Sequence, residues 1–163
     1  MAQADFLTEP QDGRESSSTQ FVTFTLGSEG YGVDIHTVRE IRVWSETTDL
    51  PNAPQDVKGV INLRGVIVPV FDLRFRFGKG ATTPSKRHVV VIIALTDHLI
   101  GILVDAVSDI VEVQPSELRP VPELEFGRES DFLKGLVAIG DQMIAILDPQ
   151  TLMRGHVVAQ LTG

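Results

Sequence analysis

The chain of 163 residues has no cysteine, one tryptophan, one tyrosine and a shortage of positive charge. Without cysteine, disulfides and thiolate zinc sites are excluded, and a reducing compartment is permitted. The longest apolar run, Val89 to Leu95, falls far short of the roughly 20 residues of a membrane-spanning helix. The N-terminus has neither the basic patch nor the apolar stretch of a signal peptide. These absences predict a soluble, cytoplasmic protein with no direct membrane insertion. Fourteen Lys and Arg stand against twenty-two Asp and Glu, a formal charge of -8, so phosphate backbones and anionic membranes are repelled unless basic side chains concentrate locally. "RFRFGK", Arg74 to Lys79, comes nearest, and its alternation predicts the polar face of a strand.

Catalytic motifs are missing too. The histidines, His36, His88, His98 and His156, are scattered. His36 and Glu40, four apart on an expected helix, are two ligands without a third, so no zinc site is expected. "GSEGYG" lacks GxGxxG spacing, "GKGATT" lacks the Walker order, and no G-x-S-x-G occurs. No enzyme, metal or cofactor is expected.

A 42% hydrophobic content, by contrast, is ample for a core. Residues 1–19 are mostly polar and read as a flexible tail, and 156–163 as a second one. "QFVTFTL" alternates as a half-buried strand, and "GSEGYG" supplies a hairpin turn. Ile35, Val38 and Ile41 recur at helical spacing, which predicts a short helix over "DIHTVREI". "LPNAP" is a loop, and in "HVVVIIALTDHLIGILVD" two apolar runs flank the turn pair Thr96 and Asp97.

The pattern then repeats. "GVDIHTVREI" from Gly32 matches "GILVDAVSDI" from Gly101, pairing Val38 with Val107, Glu40 with Asp109 and Ile41 with Ile110. "KGVINLRGVIVPVFD" from Lys58 matches "KGLVAIGDQMIAILD" from Lys134 over the same length. Two similar strand-rich lobes follow, about 20–78 and 87–155, joined by "GKGATTPSK". Asp72 and Asp148, symmetric in the repeat, are expected to cap helices, Asp148 being followed by Pro149. "VIVPVF" is apolar throughout and predicts a strand covered on both faces, with Pro69 at a bulge or edge. At the late turn the first lobe carries Asn62, Leu63, Arg64, Gly65, and the second carries Ala138, Ile139, Gly140, Asp141. Turning the chain does not require Arg64, yet from spacing alone it reads as an ordinary solvated turn residue.

"FTLGSEGYGVDIHTVREI", "VKGVINLRGVIVPVFDLR", "GILVDAVSDIVEV", "LRPVPE" and "LKGLVAIGDQMIAILD" together resemble CheW, the adaptor family of bacterial and archaeal chemotaxis. The likeness runs in order from about Gln20 to Met153, and Asn-Leu-Arg-Gly after Lys-Gly-Val is its most specific piece. CheW-like domains also occur in the kinase CheA and, fused to a receiver, in CheV; this chain has no room for either extra module, which favours the free adaptor. The resemblance implies a mostly β fold with short helices, two SH3-like five-stranded β-barrel subdomains around a shared hydrophobic core, and no catalysis. It implies two partners: methyl-accepting chemotaxis receptors, bound at their cytoplasmic tips, and the histidine kinase CheA, bound at its CheW-like regulatory domain. The protein would then be recruited to membrane receptor arrays through them.

By matching positions, the receptor groove is expected at Val38, Glu40, Gly59, Asn62, Arg64 and Val89. Glu40 and Arg64 can pair with each other. The kinase contact is expected at Arg119, Glu123 and Leu124 of "LRPVPEL". Leu124 departs from the aromatic expected there, and a smaller anchor buries less area. Two rival readings are a nucleic-acid-binding SH3-like or OB-like barrel and a hydrolase. The first calls for a basic surface with exposed aromatics, the second for a clustered nucleophile and base.

Overall fold

The computed structural model describes residues 18–122 and 131–153. In them the chain forms strands β1 Thr19–Leu26, β2 Glu29–Asp34, β3 Val38–Val43, β4 Val57–Leu63, β5 Val66–Asp72, β6 Val89–Ala94, β7 Leu99–Val104, β8 Ala106–Val113, β9 Leu133–Ile139 and β10 Gln142–Leu147. Two short helices, α1 Leu73–Arg76 and α2 Pro149–Met153, follow β5 and β10. The expected tails lie outside the described residues, apart from Ser18 and Thr19, and Thr19 already belongs to β1.

The sequence repeat maps onto strands β1–β5 and β6–β10, but the two sheets are not the two repeats. One sheet has the order β9-β10-β2-β1-β8, the other β3-β6-β7-β5-β4. Each therefore takes two strands from one repeat and three from the other, so lobes of consecutive sequence, 20–78 and 87–155, are not the packing units. The cause is local. Only Asp105 separates β7 from β8, fewer than the two residues a hairpin turn needs, and the chain passes onward into the other sheet. The β2 to β3 connection, Ile35–Thr37, does the same through one 3₁₀ turn.

Parallel pairs stitch the repeats together. Ile146 of β10 sits opposite Gly32 of β2, and Val70 of β5 opposite Gly101 of β7. A methyl group on Gly32 would meet the Ile146 side chain at 3.1 Å, and one on Gly101 would meet Val90 at 2.8 Å, which accounts for the Gly-to-Gly match in the repeat. Each sheet also curls until its edges touch once. Beyond edge strand β3, Thr48 bridges Val60 of β4; beyond edge strand β8, Arg119 bridges Leu136 of β9. These are single bridges, so each SH3-like barrel stays partly open.

Strand periodicity divides the side chains between three cores. In β6, Val91 and Ile93 face a large cluster shared by both sheets, while Val90 and Ile92 face the interior of their own barrel. A strand covered on both faces reads as an unbroken apolar run, which "VVVII" is. The shared cluster includes Phe24, Tyr31 and Val33 from one sheet and Phe71, Ile100 and Ile102 from the other. Tyr31 stacks with Phe24 at 5.9 Å between centroids.

Several expectations hold. The hairpins around Gly27 and around Thr96–Asp97 form, and Asp72 and Asp148 cap helices through Phe75 and Gln150 amides at 3.4 and 3.2 Å. Asp72 also accepts from the Thr82 amide and hydroxyl, each at 2.7 Å, which ties down the linker. Val68, Val70 and Phe71 are buried as expected and Pro69 is half-buried, whereas Val66 and Ile67 are exposed.

Other expectations need correction. "DIHTVREI" is helical only over Ile35–Thr37, and Val38–Val43 is strand β3. Val38, Ile41 and Val43 are β-branched, and pairing with β6 overrides the helical spacing. "RFRFGK" is not a strand face: α1 forms because Asp72 caps it and Leu73 is fully buried. Arg76 there donates to the Leu152 carbonyl at 2.9 Å and lies over the Phe132 ring at 4.7 Å. Pro69 lies in an interior strand. It is tolerated because its partner Val60 spends both backbone groups on Thr48, at 2.8 and 2.9 Å, so no amide is needed toward β4.

The shared core couples the barrels. Ile102→Ala in the shared core is expected to cost about 2–5 kcal/mol and to shift one cooperative transition. Denaturant melts followed by Trp44 fluorescence, which reports the β3–β7 barrel, and by far-ultraviolet dichroism should coincide; separate midpoints would show that the barrels unfold independently.

Candidate functional site

The late hairpin of the first repeat builds the site. β4 and β5 are joined by the two-residue turn Arg64–Gly65, both with positive φ, 52° and 91°. This is the signature of the type I′ turn, which matches strand twist and favours Asn-Gly or Gly-Gly. Arg64 is therefore in a left-handed conformation that costs an L-residue about 1–2 kcal/mol. The second repeat relieves that strain with Gly140, φ 58°. Asn62 supports the turn by accepting the Gly65 amide at 2.7 Å.

The turn points the Arg64 side chain across to β3. Its Nη2 donates to Glu40 Oε1 at 2.8 Å, and Arg42 lies 3.8 Å from the other oxygen of the same carboxylate. Arg64 is 75% exposed and Glu40 28%. Solvent screening makes such a pair worth at most about 1 kcal/mol, so it does not repay the turn strain by a clear margin. Strain that the local contact does not clearly repay makes Arg64 the candidate functional position.

The remaining expected groove residues are distributed around the pair. Val38 opens β3 and Val89 opens β6; both are half-buried and pack on the shared core. They lie at opposite ends of the β3·β6 ladder, where Val38 pairs with Ile93 and Val89 with Val43. Gly59 is buried, and its place is explained by the fold. A methyl group there would meet the Thr48 carbonyl at 2.6 Å, where the barrel edges touch; Gly135, its counterpart, faces the Arg119 carbonyl at 2.7 Å. Thus Glu40, Asn62 and Arg64 come together as a unit, whereas Gly59 serves barrel closure.

The sequence reading missed the apolar frame. Ile41, Val43, Val66 and Ile67, neighbours of the pair along β3 and β5, are 46–65% exposed. Exposed apolar groups beside a few well-placed charges are a feature of protein contacts. Ile110 and Met143, the repeat counterparts of Ile41 and Ile67, are also exposed, but there Asp109 faces no guanidinium among the described residues, and Gly140 stands where Arg64 does. Period-two alternation across Val38–Val43 was the signal available. His36, assigned beside Glu40 on a helix, instead contacts Asp34 at 3.0 Å. Among the described residues no group of three His, Asp or Glu could hold a metal.

At the expected kinase contact, Arg119 uses its backbone for the Leu136 bridge, with both bonds at 2.8 Å, and its side chain is exposed. Glu123 and Leu124 lie outside the described residues.

Comparison with known proteins gives a consistent result. The family model described as CheW-like domain matches residues 20–156. The chain is 38% identical over 145 residues to the chemotaxis protein CheW of Klebsiella aerogenes, covering 89% of this chain and 87% of that one. It is 39% identical over 129 residues to the CheW of Rhizobium meliloti, covering 79% and 83%. The crystal structure of the scaffolding protein TtCheW from Thermoanaerobacter tengcongensis superposes with a TM-score of 0.81 at 30% identity, covering 93% of this chain and 98% of that one.

The turn geometry makes a prediction that needs no partner. Arg64→Gly should raise unfolding free energy by up to about 1 kcal/mol by relieving the left-handed strain, while Arg64→Ala should stay within about 0.5 kcal/mol of the original. Gly59→Ala should lose about 2 kcal/mol or more through strain and the Thr48 clash. Equal stabilities of Arg64→Gly and Arg64→Ala in denaturant titration would remove the strain argument.

Proposed function

The chain belongs to the CheW-like family of chemotaxis scaffold proteins, and from that premise we propose that it is a non-enzymatic adaptor coupling chemoreceptors to the histidine kinase CheA. It would work in the cytoplasm and reach membrane arrays through its partners; no helix among the described residues is long and apolar enough to cross a membrane. The observation that carries the receptor contact is Arg64 held at φ 52° beside Glu40, at the position where the repeat uses glycine. The planar guanidinium has donors left over after Glu40 and can offer them to a carboxylate or to backbone carbonyls of a receptor helix, as a lysine could not. Asn62, Val38 and Val89 complete that surface, and Gly59 acts on it through the fold. Arg119, with Glu123 and Leu124, forms the kinase contact. A nucleic-acid module is disfavoured by the charge of -8.

Calorimetric titration against a receptor cytoplasmic fragment and against the regulatory domain of CheA tests this reading. Arg64→Ala should weaken receptor binding about tenfold or more, the value of a lost charge-assisted hydrogen bond, and leave CheA binding unchanged. Asp141→Ala, at the turn of the second repeat, should have little effect on either. Arg119→Asp or Leu124→Ser should weaken CheA binding by about 1–4 kcal/mol and spare the receptor. Unchanged receptor affinity in Arg64→Ala would make the corner structural, and ATPase or phosphotransfer activity abolished by one substitution would end the adaptor reading.

A further inference from the structure

Where the chain crosses from β7 to β8, a cleft of about 660 Å³ opens between the loop after α1 and Asp105. That volume lies within the roughly 300–1,000 Å³ of small-molecule sites. Its polar lining is Arg74, Thr82, Thr83, Arg87, His88 and Asp105. None of these is among the residues of the Glu40–Arg64 corner, and the adaptor reading makes no use of them.

Two arginines lining one cleft depart from the balance of a chain with net charge -8. Neither is neutralised within the described residues. Arg74 donates to the Lys79 carbonyl at 3.2 Å, and neither Arg74 nor Arg87 forms an ion pair with a carboxylate. The one acid in the cleft is already committed: Asp105 Oδ2 accepts the Gly27 amide at 2.6 Å, and Oδ1 faces His88 Nε2 at 3.6 Å. His88 is held in turn by the Ser85 amide, which donates to Nδ1 at 3.0 Å, so Nε2 carries the hydrogen of the neutral ring. Thr82 is spent on Asp72 through both its amide and its hydroxyl.

The donors left for a ligand are the two guanidinium groups and the Thr83 hydroxyl. A planar carboxylate has two oxygens and satisfies one fork; a tetrahedral phosphate presents oxygens to both. The cleft is also larger than one phosphate group, which leaves room for an organic portion. We propose that this cleft binds a small phosphate-bearing molecule, with the phosphate held between Arg74 and Arg87.

The test is a titration of the full chain with inorganic diphosphate at constant ionic strength, followed by amide chemical shifts in NMR. Saturable shifts are expected at Thr83, Arg87, His88 and Ala106. Arg87→Ser, an exposed loop change that leaves the fold intact, should raise the dissociation constant about tenfold or more. Lys86→Ser, which removes the same charge one residue outside the lining, should change it by less than about twofold. Shifts that do not saturate, or an equal loss in Lys86→Ser and Arg87→Ser, would overturn the proposal and leave only diffuse charge attraction.

Discussion

The shared apolar cluster between the two sheets is the constraint on which everything else rests. Strands β6 and β7 give alternate side chains to that cluster and to their own barrel, so they have no solvent face and no freedom of register: a slip by one residue would exchange two buried sets. Each sheet takes strands from both repeats but is hydrogen-bonded only within itself; what joins the two is the cluster their faces share. Burial of side chains such as Ile102 and Phe24, each worth roughly 1.5–3 kcal/mol, is available only to the assembled pair.

That rigid interior sets the terms at the surface. Close approaches are assigned to glycine: Gly32 and Gly101 where parallel strands join the repeats, Gly59 and Gly135 where each barrel's edges meet. Left-handed turns are a separate matter, and there Asn52 and Arg64 hold positive φ without being glycine. At Arg64 a long cationic side chain occupies a left-handed turn where the second repeat has Gly140, and it reaches Glu40. The hairpin beneath it, with Asn62 closing the turn, brings the guanidinium to Glu40.

Much of this was legible in the chain. The internal repeat, the capping role of Asp72 and Asp148 and the strand buried on both faces all follow from local patterns, while the Asn-Leu-Arg-Gly corner drew attention only through the family resemblance. Local patterns also misled. Ile35, Val38 and Ile41 fit a helical period while Val38–Val43 fits a strand period, and the decision came from β6, a strand distant in sequence that supplies the ladder. "RFRFGK" alternates like a strand, yet a buried Asp72 and a buried Leu73 turn it into a helix. Gly59 drew attention as part of a binding pattern; the barrel edge it admits is invisible without coordinates.

By itself, then, the sequence determined composition, strand content, repeat and family, because these depend on side-chain chemistry and on periodicities of two or three to four residues. Tertiary structure alone decided which strands share a sheet. Residue patterns record whether a face is apolar, and they do not record which apolar face it will meet. The one-residue link at Asp105 forbids a hairpin and sends β8 to the far sheet, and the same exchange at Ile35–Thr37 places β3, and with it Glu40, beside the turn that carries Arg64.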